Sequence, residues 1–225
     1  MTRWKIGLAA CLLVLAACNP FPKTWEWNQK LTVEVTTPEG LRSASAVTNV
    51  RWQEKNSSGN YPGSYRGEAT AVEVTDGKYL FALIGEGTRY IALLTFEGEG
   101  GRPAGITERG FAAVAGVRGI REVPRERYPL LVTFENISDP ATIKRVDPDD
   151  LAASFGPGVS LKRITLTITD EPVTAGEVEK VLGWLERIGR ERGTFIPNPP
   201  RLRKDASDPD LQYLSSGSFD TELYK

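Results

Sequence analysis

The stretch at residues 30–37, KLTVEVTT, decides the predicted fold class. Its apolar residues Leu31, Val33 and Val35 alternate with polar ones, which is typical of a β-strand with one buried face. The turn-forming sequence PEG follows directly at residues 38–40, so the chain is expected to reverse direction there. This alternation therefore predicts an antiparallel sheet.

Further strands are expected along most of the chain. The dipeptide Asp76-Gly77 is a strong hairpin signal, and the run YLFALI at 79–84 is apolar on both faces, which predicts a central strand. The other predicted strands cover residues 45–53, 65–74, 129–136 and 159–169, the last with a register slip near Lys162. The strands up to residue 84 are expected to share one sheet. Residues 88–96 fit a strand or a short helix, and 111–123 show no clear period.

The clearest helix signal lies at residues 175–190. Thr174 and Glu177 have the spacing of a capping box, with Thr174 as the N-cap. One apolar stripe at helical spacing follows: Val178, Val181, Leu182, Leu185 and Ile188. The predicted class is α+β, an antiparallel sheet covered by this C-terminal amphipathic helix. A β-sandwich with one terminal helix is the alternative.

The composition excludes several classes of function. The chain has 225 residues and a formal charge of −1, so it lacks the basic surplus that nucleic acids attract. Histidine is absent, which removes the usual general base and the commonest metal ligand. Neither a nucleotide-binding motif nor a nucleophile motif occurs. The sequence therefore predicts no catalytic residue, no metal ligand and no cofactor, and a protein that is not an enzyme.

The first eighteen residues form a separate segment. Arg3 and Lys5 precede a run of 12 apolar residues at 6–17, and small residues lead up to Cys18. A membrane-spanning helix needs about 20 apolar residues, so this run is too short to be one. A charged start, a short apolar run and small residues before the cut are typical of an export signal.

The sequence LAAC at residues 15–18 resembles the lipobox of bacterial lipoproteins. The resemblance implies that the chain is cut before Cys18, that the thiol is diacylated, and that the new amino group is usually acylated too, with palmitate as an expected acyl group. Asn19 in place of aspartate implies the outer membrane, on its periplasmic side. An ordinary secretory signal with an incidental cysteine is the alternative. The remaining chain resembles uncharacterised small proteobacterial lipoproteins, which implies no activity.

These signals divide the chain into four predicted segments. The aromatic residues Trp25 and Trp27 fit either the membrane interface or the start of the core, and the core is preferred because a strand follows at once. The predicted organisation is a signal peptide at 1–17, a lipidated linker at 18–28, an α+β domain at 29–196 and a flexible tail at 197–225.

Two acidic clusters are candidates for a metal-binding or catalytic site, and each has a simpler explanation. Asp147, Asp149 and Asp150 suggest a calcium loop, but the central glycine and the distal glutamate of such a loop are missing. Capping of a short helix at residues 151–155, with Asp147 as N-cap, explains them better. Asp170-Glu171 offers carboxylates, for which simple solvation is the preferred explanation.

A basic cluster is interleaved with Glu122 and Glu126. It fits contact with phosphates of lipid headgroups or lipopolysaccharide, or an ordinary solvated segment. The arginines concerned are Arg118, Arg121, Arg125 and Arg127.

The expected function is non-catalytic binding or a structural role in the cell envelope. The membrane is engaged through the N-terminal lipid, and an envelope protein is a possible partner for the loops at 55–64 and 97–103 and for the tail. Two alternatives remain. One is a hydrolase of envelope glycans, which needs two facing carboxylates in a cleft. The other is a lipid-carrying chaperone, which needs an apolar cavity.

Overall fold

The computed structural model describes residues 22–98, 105–185, 208, 211 and 214–223. These residues form two antiparallel sheets with few helices, which fits an α+β or mostly-β class. The strands are β1 (Thr24–Thr37), β2 (Gly40–Gln53), β3 (Gly63–Arg66), β4 (Thr70–Thr75), β5 (Lys78–Ala82), β6 (Ile120–Glu122), β7 (Leu131–Phe134), β8 (Ile143–Arg145) and β9 (Ser160–Thr169).

The helices are short. They are α1 (Ile91–Thr95), α2 (Glu108–Ala115), α3 (Ala152–Phe155) and α4 (Glu177–Val181), with 3-10 turns at Glu86–Arg89, Arg125–Arg127, Pro140–Thr142 and Ser216–Ser218. None of the helices within the described residues is both long and apolar enough to span a membrane.

The first sheet has the strand order β3-β2-β1-β9-β6. Its centre is the hairpin of β1 and β2, which pair along their whole length and turn at Gly40, whose positive φ of 126° favours glycine. On the other side of β1, the register with β9 shifts between Glu34 and Val35, and Lys162 is the extra residue. The predicted register slip is therefore confirmed as a β-bulge.

The second sheet has the order β4-β5-β7-β8. The prediction of a central strand is confirmed, because β5 lies between β4 and β7 and is buried on both faces. The expectation that the first four strands share one sheet is wrong. The chain leaves the first sheet at Gly67, where φ is 126° and a Cβ would lie 3.0 Å from the Val47 carbonyl oxygen. This sharp bend sends β4 into the second sheet.

The first core lies between the two sheets. Trp52 stacks on Phe111 of α2 with ring centroids 4.9 Å apart, and β1 contributes Trp25 and Trp27, which are 7% and 5% exposed. The preferred explanation for these two tryptophans is therefore confirmed. Because β1 already begins at Thr24, the predicted linker at 18–28 is too long and the predicted domain starts too late.

The second core lies on the opposite face of the second sheet. Phe81 and Phe134 of the sheet pack edge-on or tilted against Phe219, which is fully buried, and Trp184 completes the group. The backbone N–H of Ala69 donates to the Phe219 carbonyl oxygen at 2.7 Å. The prediction of a flexible tail is therefore wrong for residues 214–223, here called the C-terminal segment, because aromatic burial fixes it.

The C-terminal helix begins later than predicted. It starts at Glu177, after Gly176 with a positive φ of 85°, so Ala175 and the predicted N-cap Thr174 lie outside it and the capping box does not form. The Thr174 hydroxyl instead accepts a hydrogen bond from the Val47 N–H at 2.8 Å. Three of the predicted inward residues are fully buried in the second core: Val178, Leu182 and Leu185. Residues 186–190 of the predicted helix lie outside the described residues.

Other local predictions change as well. The ambiguous stretch at 88–96 forms part of a 3-10 turn followed by α1, and 111–123 forms most of α2, then β6. The short strand β8 was not expected. The N-cap prediction for Asp147 is wrong, because α3 begins at Ala152 and Asp147 accepts from the Asp149 N–H in the turn before it.

Candidate functional site

A cleft of about 620 Å³ opens between the two sheets. It forms where the inner face of β1 changes from large to smaller or polar side chains, at Gln29 and Leu31. Their neighbours across the strand pair are Thr48 and Ala46 on β2, which are also small. Since these side chains do not fill the space between the sheets, the first core is interrupted here, and Leu31 remains only partly buried.

The wall of the cleft is mainly apolar. Leu31 is flanked by Ala46 of β2 on one side and by Leu166 of β9 on the other, so one inner row of the first sheet forms the floor. The second sheet, the loop before β7 and α1 supply the facing side chains. The apolar lining residues are Leu31, Ala46, Ala82, Leu83, Ile84, Ile91, Leu94, Leu130, Leu166 and Leu214.

The buried polar side chains of this wall are satisfied within the protein. Gln29 accepts from the Trp27 indole N–H at 3.1 Å and donates to the Thr88 carbonyl oxygen at 2.8 Å. The Thr70 hydroxyl donates to the Leu31 carbonyl oxygen at 3.4 Å. These groups have their partners already, so a ligand would meet mostly apolar surface on the walls.

The mouth of the cleft carries charge. Glu126 and Arg127 line the cleft and are exposed, and neither has an ion-pair partner among the described residues. The predicted basic cluster is thus divided. Arg125 pairs with Asp149 at 2.6 Å, and Arg118 lies 4.0 Å from Asp170, so only Arg127 of that cluster reaches the cleft.

Glu68 lies at the inner end of the cleft and is 1% exposed. Its carboxylate accepts hydrogen bonds from the N–H groups of Glu177 and Val178, each at 3.1 Å, and thereby caps α4. Burial raises the pKa of Glu68 despite these two donors. Sequence reasoning missed this cap, because the carboxylate comes from a residue far from the helix in the chain.

Glu68 belongs to a cluster of three carboxylates. Oxygens of Glu68, Glu179 and Asp220 lie within 4.8 Å of one another. Asp220 is fully buried, and one of its oxygens accepts from the Glu222 N–H at 2.5 Å. Burial, with a further contribution from Glu179, raises the pKa of Asp220 to about 7. No spacing signal connects these positions, so the sequence did not reveal the cluster.

The residues weighed from the sequence do not form a second site. Asp170 is 95% exposed, and Glu171 binds the Lys30 ammonium at 2.9 Å, as expected for solvated carboxylates. The aspartates Asp147 and Asp149 both lie near Arg125. Cys18, with the whole of the predicted export signal, lies outside the described residues, as does most of the loop predicted at 97–103.

Searches against family models, curated proteins and solved structures find no match to this chain. The chemistry of the site is therefore argued from its geometry. An apolar cleft with a charged mouth can hold a molecule with an apolar body and a polar end. The carboxylate cluster can hold protons or a cation that prefers oxygen ligands.

Proposed function

We propose that this protein is a lipid-anchored binding protein of the bacterial cell envelope, on the periplasmic side of the outer membrane. It holds a small amphipathic molecule in the cleft between its two sheets and catalyses no reaction. The cleft itself carries the proposal, because its volume of about 620 Å³ and its apolar walls suit a small ligand. Small-molecule sites typically measure about 300–1,000 Å³.

The expected ligand has an apolar body and a polar end. Burying apolar surface contributes roughly 25 cal/mol per Å², and walls of leucine, isoleucine and alanine favour that gain. A polar group buried against such walls would lose water without gaining partners, since Gln29 and Thr70 are already hydrogen-bonded. The polar end therefore belongs at the mouth, beside Glu126 and Arg127.

Binding is favoured over the hydrolysis of glycans. A glycosidase needs two carboxyl groups that reach the scissile bond. In the carboxylate cluster, Glu68 is committed to the N–H groups that start α4, and Asp220 is fully buried. The geometry leaves little room for a sugar ring between these groups, so the cluster gives weak support to a hydrolase.

The predicted helix at 175–190 is interrupted, since α4 ends at Val181 and Leu182 is not helical. We also propose that helical structure resumes after this break, continues beyond Leu185 and covers the second sheet. The support is local: Val178, Leu182 and Leu185 are fully buried against the second core. The next residue of the same stripe is Ile188, one helical turn further on.

The cleft is tested by filling it. Ala46→Phe places a phenyl group in the cleft, whereas Ser45→Phe adds the same group on the exposed opposite face of β2. Both variants are made in the full chain carrying Cys18→Ser, so that no acyl chain attached at this thiol competes with the probe. The probe is a dansyl-labelled undecanoic acid, whose fluorescence rises in apolar surroundings.

We expect the parent chain and Ser45→Phe to bind the probe alike, and Ala46→Phe to bind at least about tenfold more weakly, a difference of about 1.4 kcal/mol. Circular dichroism verifies that all three chains are folded. Equal binding by Ala46→Phe, or no binding by the parent chain, would refute the proposed cleft function.

The anchor has its own test. Cells expressing the wild-type chain or Cys18→Ser are fed a clickable palmitate analogue, and the purified proteins are examined for label. The lipobox resemblance predicts label on the wild type and none on the variant. Labelled Cys18→Ser protein would show that the lipid is attached elsewhere.

A further inference from the structure

We propose that Glu68, Glu179 and Asp220 form a binding site for a calcium-type divalent cation, which fastens the C-terminal segment to α4 and to the start of the second sheet. This site is separate from the cleft ligand and stands whether or not the cleft binds one.

The geometry of the three carboxylates fits calcium. Their oxygens lie within 4.8 Å of one another. Calcium binds oxygens at about 2.3–2.6 Å, so two ligands of one ion are separated by at most roughly 4.6–5.2 Å. Magnesium binds at about 2.0–2.1 Å and would require separations within about 4.2 Å, a stricter condition than the 4.8 Å that the three oxygens meet. Carboxylate oxygens are hard ligands, which matches calcium and not the softer transition metals.

Oxygens without partners provide the second observation. Asp220 is fully buried and faces Glu179, yet one oxygen of each residue, Asp220 Oδ2 and Glu179 Oε2, has no hydrogen-bond partner in the described structure. Buried carboxylate oxygens are nearly always hydrogen-bonded, paired or metal-bound. Two unpartnered oxygens beside a third carboxylate therefore indicate a missing positive partner.

Among the residues that the structure describes, no basic side chain supplies that partner. The donors to the cluster are backbone N–H groups, those of Glu177 and Val178 to Glu68 and that of Glu222 to Asp220. Over the described ranges, no lysine or arginine forms an ion pair with any of the three carboxylates. Like charges at this separation disfavour one another, so the cluster needs a proton or a cation.

A cation can reach the site from solvent, and it would link three separate segments of the chain there. The cleft wall includes Glu68 and Ser218, and Glu179 is partly exposed, so water and ions can approach. The three ligands come from distant parts of the chain: the bend before β4, α4 and the C-terminal segment. Glu68 and Asp220 already pair through an isolated β-bridge, which a shared ion would reinforce.

The test uses the full-length protein in detergent after treatment with EDTA, with thermal unfolding followed by circular dichroism at pH 7.5. Asp220→Asn removes one ligand with little change of shape, and Asp170→Asn removes a 95% exposed carboxylate as the matched control. At calcium concentrations about 100 times the Kd, we expect the melting temperature of wild type and Asp170→Asn to rise by roughly 5–10 °C. The rise should be absent in Asp220→Asn.

Terbium provides a second readout, because it binds calcium sites and its emission is sensitised by nearby tryptophan. Trp184 packs on Phe219, the residue before Asp220. We expect sensitised emission from wild type, its displacement by calcium, and its loss in Asp220→Asn. Should Asp220→Asn fail to fold, Glu179→Gln on the partly exposed α4 replaces it, with the same expected losses.

Three results would overturn the proposal. One is a wild-type melting temperature that millimolar calcium leaves unchanged. Another is a calcium response that persists in full in both ligand variants. The third is a melting temperature that depends on pH near neutrality but not on calcium. This result would show that a proton alone compensates the negative charge of the three carboxylates.

Discussion

The two cores on either face of the second sheet are built in different ways. The first core joins two sheets whose strands are mostly neighbours in sequence, and its buried members are almost all apolar. Its charged residues lie outside, as where Glu34 binds Lys162 and Arg163 on the exposed face. The second core joins distant segments, and the buried carboxylates Glu68 and Asp220 lie at its edge. Regular strand pairing thus sustains one core, and aromatic and polar contacts between remote segments sustain the other.

The difference explains where candidate function lies. The cleft occurs where the first core lacks bulk, beside Ala46 and Thr48, and the carboxylate cluster lies at its inner end, next to the second core. Both features depart from efficient packing. Proteins commonly retain such departures only where function requires them. Since the two cores differ in construction, we expect them to differ in stability as well.

The largest effect is expected in the first core, from Trp52→Ala. Trp52 is 1% exposed and packs on Phe111 and Tyr90, so its truncation should lower the free energy of unfolding by about 3–5 kcal/mol. Chemical denaturation measures this loss. Trp52→Phe is the control and should lose much less, because the stacking is kept and the indole N–H has no partner to lose. A loss below about 1 kcal/mol for Trp52→Ala would contradict the central role of this stack.

Phe219→Ala tests the second core. Phe219 is fully buried among Phe81, Phe134 and Trp184, but it lies on the C-terminal segment, which can separate without unfolding the sheets. We therefore expect a smaller loss of roughly 2–3 kcal/mol and faster local opening. Hydrogen exchange should increase at residues 214–223 while β1 and β9 stay protected. Equal loss of protection in both regions would mean that the two cores unfold as one.

The pH dependence should distinguish the two cores further. The pKa of Asp220 is raised from 3.8 to about 7, so the native state keeps a proton that the unfolded state releases. Its contribution to stability is full below about pH 4 and is lost as the pH rises through about 7. Of the groups around it, the carboxylates Glu179 and Glu68 reinforce this direction, whereas the backbone N–H of Glu222, which donates to Asp220, opposes it.

The melting temperature of the full-length protein is measured in EDTA between pH 5 and pH 8. This range covers the titration of the Asp220 carboxyl group. Wild type should lose stability across this window, and Asp220→Asn should lose less. Parallel curves for the two proteins would show that Asp220 does not titrate in the window.

The smallest effect is expected for Thr174→Ala. The Thr174 hydroxyl accepts a hydrogen bond from the Val47 N–H on the edge of β2, and its loss should cost about 0.5–1.5 kcal/mol. Thr36→Ala on the exposed face of β1 is the control and should change stability by less than about 0.5 kcal/mol. Coinciding denaturation midpoints for Thr174→Ala and Thr36→Ala would show that the hydrogen bond of Thr174 does not contribute to stability.

The sequence predicted the regular parts of the fold because their signals are local. Alternation placed β1 and β9, and the two-sided apolar run identified β5 as central. The division into two sheets depends on the bend at Gly67. The hydrophobic periodicity of the sequence does not indicate this bend. The site was less predictable, since Glu68 lies in a predicted strand and Asp220 in a predicted tail, and the two meet only after folding. The small side chains of Ala46 and Thr48 leave part of the cleft open, and Thr174 packs on the edge of β2.

The central claim is that the cleft carries an amphipathic molecule, and native mass spectrometry tests it most directly. Wild type, Ala46→Phe and Ser45→Phe are each expressed from the full sequence in bacteria and purified gently. We predict an additional non-covalent mass in the range of a small lipid on wild type and Ser45→Phe, and its absence on Ala46→Phe. A bound mass that Ala46→Phe retains, or no bound mass on wild type, would contradict the claim.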